Sequence, residues 1–123
     1  DIDWLTGGAS IDEVVERWLG LGPSLVVVTR GKHGCLVATA SGMRFTKTPG
    51  DVKVVDTVGA GDSFMGGMID ALWGMGLRGT GAREALLVLP EEQVRAIIDR
   101  ASAVSDVTVS RSGANPPWAH ELA

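Results

Sequence analysis

The chain is 123 residues long, 45% hydrophobic and 21% charged, with 17 glycines, five prolines and a formal net charge of −4. That is one domain's worth of chain, able to bury a core yet short for an enzyme with two lobes, and too apolar for a disordered acidic tail. Eleven Lys and Arg against fifteen Asp and Glu leave no basic footprint for nucleic acid or an anionic membrane, and no apolar run approaches the roughly 20 residues of a membrane helix. One cysteine, Cys35, excludes an internal disulfide and fits a reducing compartment; with two histidines beside it, a zinc cluster is disfavoured. The chain opens on Asp1 without a leader-like segment, which reads as a cut end rather than a true terminus.

Ser10-Ile11-Asp12-Glu13 has the capping-box form and opens an apolar stripe of Val14, Val15, Trp18 and Leu19, predicting a helix from Ile11 to Gly20. Leu25–Thr29 is a continuous β-branched run, the pattern of a strand covered on both faces in a parallel sheet. Arg30–Gly34 is turn chemistry. Cys35–Thr39 and Met43–Thr46 flank Ser41-Gly42 and predict a hairpin, and Val52–Val55 reads as one more short strand. Phe64, Met65, Met68, Ile69, Leu72 and Trp73 recur at three and four, predicting a long helix with these residues on its buried face; Gly66 and Gly67 permit a neighbour to come close. Glycines 74, 76, 79 and 81 end it. A short helix over Ala82–Val88 precedes Pro90, expected to open the last helix, whose stripe is Val94, Ile97, Ile98, Ala101 and Val104. Arg111–Pro117 is loop and Trp118–Leu122 a short tail. This order indicates an α/β layered domain.

The informative segment is Asp56-Thr57-Val58-Gly59-Ala60-Gly61-Asp62, where a strand-like run feeds a Gly-Ala-Gly turn at a helix start. Glycines there let successive N–H groups point into one hollow, and the positive end of the helix favours an anion such as phosphate. Asp62, in the first turn, could accept a proton from a hydroxyl while the N–H groups hold charge developing on a phosphoryl group. The plainer alternative is a tight turn with Asp62 as a helix cap. His33 and His120 read as exposed loop residues, Cys35 as a small core residue, and Met65, Met68, Met75 and Trp73 as core packing.

Asp56–Phe64 closely resembles the C-terminal signature of the ribokinase-like (PfkB) family of carbohydrate kinases. Val27–Gly34 looks like the family's strand and nucleotide loop, Ser110–Pro117 like its closing loop, and Asp1–Leu5 like the stretch after its central acidic motif. Asn115-Pro116-Pro117 together with Phe64–Gly67 resembles the fructokinase branch. The resemblance implies a three-layer α/β/α ribokinase-like fold of which residues 1–123 are the C-terminal, nucleotide-binding and catalytic portion, without the sugar-binding part and lid. It implies ATP-dependent phosphorylation of a sugar hydroxyl, fructose to fructose 6-phosphate, in the cytoplasm. Asp62 matches the base, and Gly59, Ala60 and Gly61 match the anion hole. Thr29, Arg30, Gly31, Lys32, Gly34, Gly61, Ser102 and Asn115 fall on the nucleotide site. Asp56, Val58, Thr108, Arg111 and Gly113 match a monovalent-cation site, whose family ion is potassium, and magnesium is expected with ATP. Asp3 falls on the family's magnesium-water motif. Pro117 stands where some relatives offer the cation a hydroxyl, which leaves a potassium requirement open, and Arg30 stands where many carry an apolar residue.

Other acceptors in the family, namely 2-keto-3-deoxygluconate, ribose and nucleosides, stay open, as does a nucleotide-binding piece without turnover. A small-molecule sugar is the expected partner, and a homodimer would pair through parts outside this chain. The dinucleotide fingerprint is not met, because Phe64 occupies its third glycine position, and no P-loop occurs.

Overall fold

The computed structural model describes residues 10–122; Asp1–Leu5, and with it Asp3, lies outside them. Helix α1 (Ile11–Gly20) starts where expected, the Ser10 hydroxyl accepting the Glu13 N–H at 3.2 Å. Strands β1 (Leu25–Thr29), β2 (Cys35–Thr39) and β3 (Arg44–Lys47) form an antiparallel sheet in that order. Helices α2 (Ala60–Gly74), α3 (Ala82–Leu87) and α4 (Glu91–Val109) follow, and a short 3-10 turn (Ala119–Leu122) ends the described chain.

Strand alternation sorts the sheet into two faces. Val26, Val28 and Ala38 pack with Val15 of α1, while Cys35 and Val37 pack with Phe64 of α2 and Val94, Ile98 and Ala101 of α4. The result is three layers, helix over sheet over helices. All five residues of the α4 stripe are buried, and Pro90 caps that helix one position before its first turn rather than opening it.

Three expectations need correction. β1 is covered on both faces, but its neighbour is the antiparallel β2 and not a parallel strand. Val52–Val55 is not a strand: it finds no sheet partner among the described residues, and the Val55 and Asp56 N–H groups instead donate to the Val109 carbonyl at 2.7 and 3.1 Å. On α2, Met65, Ile69 and Trp73 are 51, 55 and 59% exposed, and Met75 is exposed as well. Of the expected face Phe64 is buried and packs on α4, and Gly67 rather than the exposed residues makes the close approach. A Cβ on Gly67 would lie 2.9 Å from both the Ala101 Cα and a Val104 methyl, whereas Gly66 faces open space.

The Ser24 carbonyl accepts the Ala40 N–H, and the Arg30 N–H donates to the Gly34 carbonyl. These two bonds fix the pairing parity between β1 and β2. Leu25, Val27 and Thr29 therefore turn their N–H and C=O groups to the far edge of β1, where no described strand meets them. Beside that edge runs an apolar groove of about 540 Å³, lined by Leu25, Val27, Phe64, Met65 and Met68 with Trp18 and Leu21. No helix of the described residues is long and apolar enough to cross a membrane.

The two central glycines of α2 should respond in opposite directions. Gly66→Ala gains helix propensity with nothing to clash against and should stabilise by about 0.5–1 kcal/mol. Gly67→Val drives a side chain into Ala101 and Val104 and should cost about 1–3 kcal/mol. Urea denaturation of both variants against the parent checks this.

Candidate active site

The Gly-Ala-Gly turn is the junction from which the site is built. Gly59 holds φ at +79°, a left-handed conformation that suits glycine, and a Cβ there would press within 2.9 Å of the Ala114 Cβ. Its carbonyl accepts the Ser63 N–H at 2.8 Å, and the Ala60 N–H closes back on the Thr57 carbonyl at 3.2 Å. The Gly61 and Asp62 N–H groups have no acceptor among the described residues. They stand at the positive end of a 15-residue helix, where partial charge concentrates on such free amides.

This first turn separates two cavities. One, of about 120 Å³, is lined by Ala60 and Gly61 together with Thr29, Gly31, Gly34 and Ser102. Five of the expected nucleotide residues thus converge on one cleft. Arg30 and Lys32 sit on the same turn without lining it; the Arg30 side chain is half-buried and its Nε has no hydrogen-bond partner among the described residues, and Lys32 is exposed. Asn115 lies away from this cleft, exposed in the closing loop. Gly34 is held by close contact: a Cβ there would run into the Lys47 carbonyl of β3.

The second cavity, about 450 Å³, lies on the other side of the turn and is lined by Gly59, Asp62, Thr108, Ala114, Pro116 and Pro117 among others. Asp62 is exposed within it. Further along, Asp70 and Arg100 form an ion pair at 3.2 Å on its rim.

Asp56 ties the turn to the closing loop. Its carboxylate accepts the Val58 N–H at 3.0 Å and, with its other oxygen, the Gly113 N–H at 3.0 Å. Those amides, Val58 first and Gly113 second, hold its carboxyl below the usual range. Three of the five expected cation residues, Asp56, Val58 and Gly113, are thereby brought together. Thr108 is fully buried; its hydroxyl donates to the Val104 carbonyl and its own carbonyl accepts the Arg111 N–H at 3.2 Å. Carboxylate and carbonyl oxygens are the donor type that suits a hard cation such as potassium, and both Asp56 oxygens here accept backbone N–H groups. No group of three His, Cys, Asp or Glu side chains suited to a metal occurs among the described residues.

Some lining residues were not anticipated. Ser105 donates to the Ala60 carbonyl at 3.2 Å, and Asp106 accepts the Gly50 N–H at 3.1 Å; both line the smaller cleft with Lys47 and Pro49. Their signal was a polar edge on α4, with Ser102, Ser105 and Asp106 spaced three and four apart beside its apolar stripe. Cys35, as expected, is buried, and burial raises its thiol pKa.

The description "pfkB family carbohydrate kinase" matches residues 1–121. The chain belongs to that family. A curated member, "Probable fructokinase-7" of Arabidopsis thaliana, is 33% identical over 121 residues, covering 94% of this chain and 32% of its own length. A fructokinase of Vibrio cholerae O395, solved with fructose, ADP and calcium ion bound, superposes with a TM-score of 0.67 at 29% identity over 91% of this chain and 33% of that one. An aminoimidazole riboside kinase of Salmonella enterica, complexed with aminoimidazole riboside and an ATP analog, reaches a TM-score of 0.76 at 27% identity over 98% and 37%. This pfkB chain thus has the ribokinase-like fold in part, spanning about a third of the length of the relatives it matches.

The Asp56 bridge has a pH signature. With a folded pKa below the ordinary 3.8, the bridge stabilises the fold above that value, and its contribution is lost as pH falls through the lower folded value. Amide exchange at Gly113 should accelerate over that acid window in the parent. In Asp56→Asn it should be fast already at pH 6. NMR-detected exchange checks both.

Proposed function

We propose that this chain is the nucleotide-binding and phosphoryl-transfer portion of an ATP-dependent sugar kinase, with fructose as acceptor and fructose 6-phosphate as product. The observation that carries the reading is the convergence of Thr29, Gly31, Gly34 and Ser102 with Ala60 and Gly61 on one cleft, at a helix start whose Gly61 and Asp62 amides are unclaimed. Phosphates of ATP fit that cleft because free N–H groups at a helix N-terminus attract negative charge. Magnesium would accompany ATP and neutralise phosphate charge. Asp62, across the turn, takes the proton from the attacking hydroxyl, and the Gly59–Gly61 turn holds the charge that develops on the transferring phosphoryl group. Arg30 and Lys32 flank the nucleotide, and Asn115 belongs to the loop that closes over it. Asp56 with Val58, Thr108, Arg111 and Gly113 forms a cation corner that keeps the closing loop against the turn.

The open edge of β1 and the apolar groove beside it support a partial-domain reading, because both invite a further strand and relatives are about three times as long. The 123 residues alone are therefore expected to bind ATP weakly and turn over no sugar. A ribosyl acceptor is the second reading, favoured by the higher TM-score of the aminoimidazole riboside kinase. The enzyme is expected to act in the cytoplasm.

The deciding assay measures ADP release by the complete polypeptide carrying these residues, with fructose, 2-keto-3-deoxygluconate, ribose and adenosine offered separately. Release confined to ribose or adenosine sinks the fructose assignment; no release with any acceptor sinks the kinase reading. Asp62→Asn should lower kcat by about 10²–10⁴-fold while ATP affinity stays nearly unchanged. A variant that retains substantial rate would remove Asp62 from the role of base.

A further inference from the structure

We propose that Glu121 is a positioning residue for the glycine turn and the Asp62 cavity, acting through a latch it forms with Arg111 and the Trp118 amide. The latch itself is independent of the kinase reading; its use in phosphoryl transfer rests on it.

Glu121 accepts the Arg111 guanidinium N–H at 2.7 Å on one oxygen and the Trp118 N–H at 2.7 Å on the other. Both oxygens being engaged, the carboxylate is fixed in two directions, and its side chain and that of Arg111 are each about two-thirds covered or more. Apolar burial does little to hold this tail. Trp118 is 74% exposed, and Ala119 and His120 are exposed as well. The polar latch ties it to Arg111, with Pro117 and Leu122 half-buried beside it.

From the latch, the chain and two hydrogen bonds of Asp56 lead to the turn. Arg111 lies two residues before Gly113, whose N–H is held by Asp56. Asp56 also holds the N–H of Val58, next to Gly59, and Ala114 packs directly on Gly59. The tail is in addition a wall of the larger cavity: Pro117, Ala119 and Leu122 line it together with Gly59 and Asp62. Releasing Glu121 therefore frees one wall of the Asp62 cavity and loosens the support under the Gly59 turn.

Amide hydrogen exchange on the complete polypeptide carrying these residues tests this. Glu121→Gln keeps an acceptor for Trp118 but removes the charge that holds Arg111, and Glu121→Ala removes both. Exchange at Gly113 and across Gly59–Asp62 should rise about 2- to 5-fold in the first variant, the range of a partly exposed ion pair, and further in the second. Ile97 and Ile98 in the α4 core should not change. The swapped pair, Arg111→Glu with Glu121→Arg, should restore protection at Gly113, a rescue that a general loss of packing would not show. A rise confined to residues 118–122 overturns the proposal, and so does a swapped pair that leaves Gly113 unprotected. Titration of the complete polypeptide with MgATP is read separately: absence of binding counts against the nucleotide site and leaves the exchange result standing.

Discussion

Everything at the candidate site is referred to one close approach, the contact of Gly67 with Ala101 and Val104. Without a side chain between them, α2 and α4 come near enough for backbone and methyl groups to touch, and dispersion then acts over many atoms at short range. A fixed α4 next places Ser105 against the Ala60 carbonyl and Ser102 in the cleft wall. Its C-terminus supplies the Val109 carbonyl that receives Val55 and Asp56. The glycine turn is thus clamped from the same helix at its entry and at its first helical turn.

The polar architecture has a consistent sense. Free amides of Gly61 and Asp62 point out of the helix start, while the nearby carboxylate of Asp56 is spent on backbone N–H groups of Val58 and Gly113. Charge that could compete with an incoming anion is thereby occupied with structure. Asp62 is left as the exposed carboxylate of the first turn, on the opposite side from Thr29, Gly31 and Gly34.

Features governed by local chemistry were legible from sequence. The Ser10 cap, the α4 stripe and the hairpin around Ser41-Gly42 each follow from residue type and spacing, and the hairpin's second strand is displaced by a single residue. Features that depend on what lies opposite were not. Val52–Val55 has strand composition, yet a strand needs a partner, and its amides turn to a helix end. The apolar run of β1 records coverage of both faces but carries no information about the direction of its neighbour. On α2 hydrophobicity pointed to Met65, Ile69 and Trp73, whereas the tight interface uses a glycine, which contributes by what it lacks. For the site, the glycine turn and the convergence of Thr29, Gly31 and Gly34 on its cleft were readable as motifs. Ser105 and Asp106 were not, since each acts on backbone atoms 45 and 56 residues away, nor was the Glu121 latch, whose partner Arg111 lies ten residues off.

The edge of β1 has a further consequence for how such a chain survives folding. Sheet proteins blunt an outer strand with a lysine, a proline or a bulge. Leu-Val-Val-Val-Thr carries none of these and is uncharged throughout. It also joins high β-propensity to a row of outward amides that no described strand meets, the combination that self-associating segments share. Protection must therefore come from a neighbour that arrives in time. Between synthesis and that arrival, the nearest matching strand is another copy of the same five residues, so the yield of native molecules becomes a race between intramolecular closure and concentration-dependent stacking.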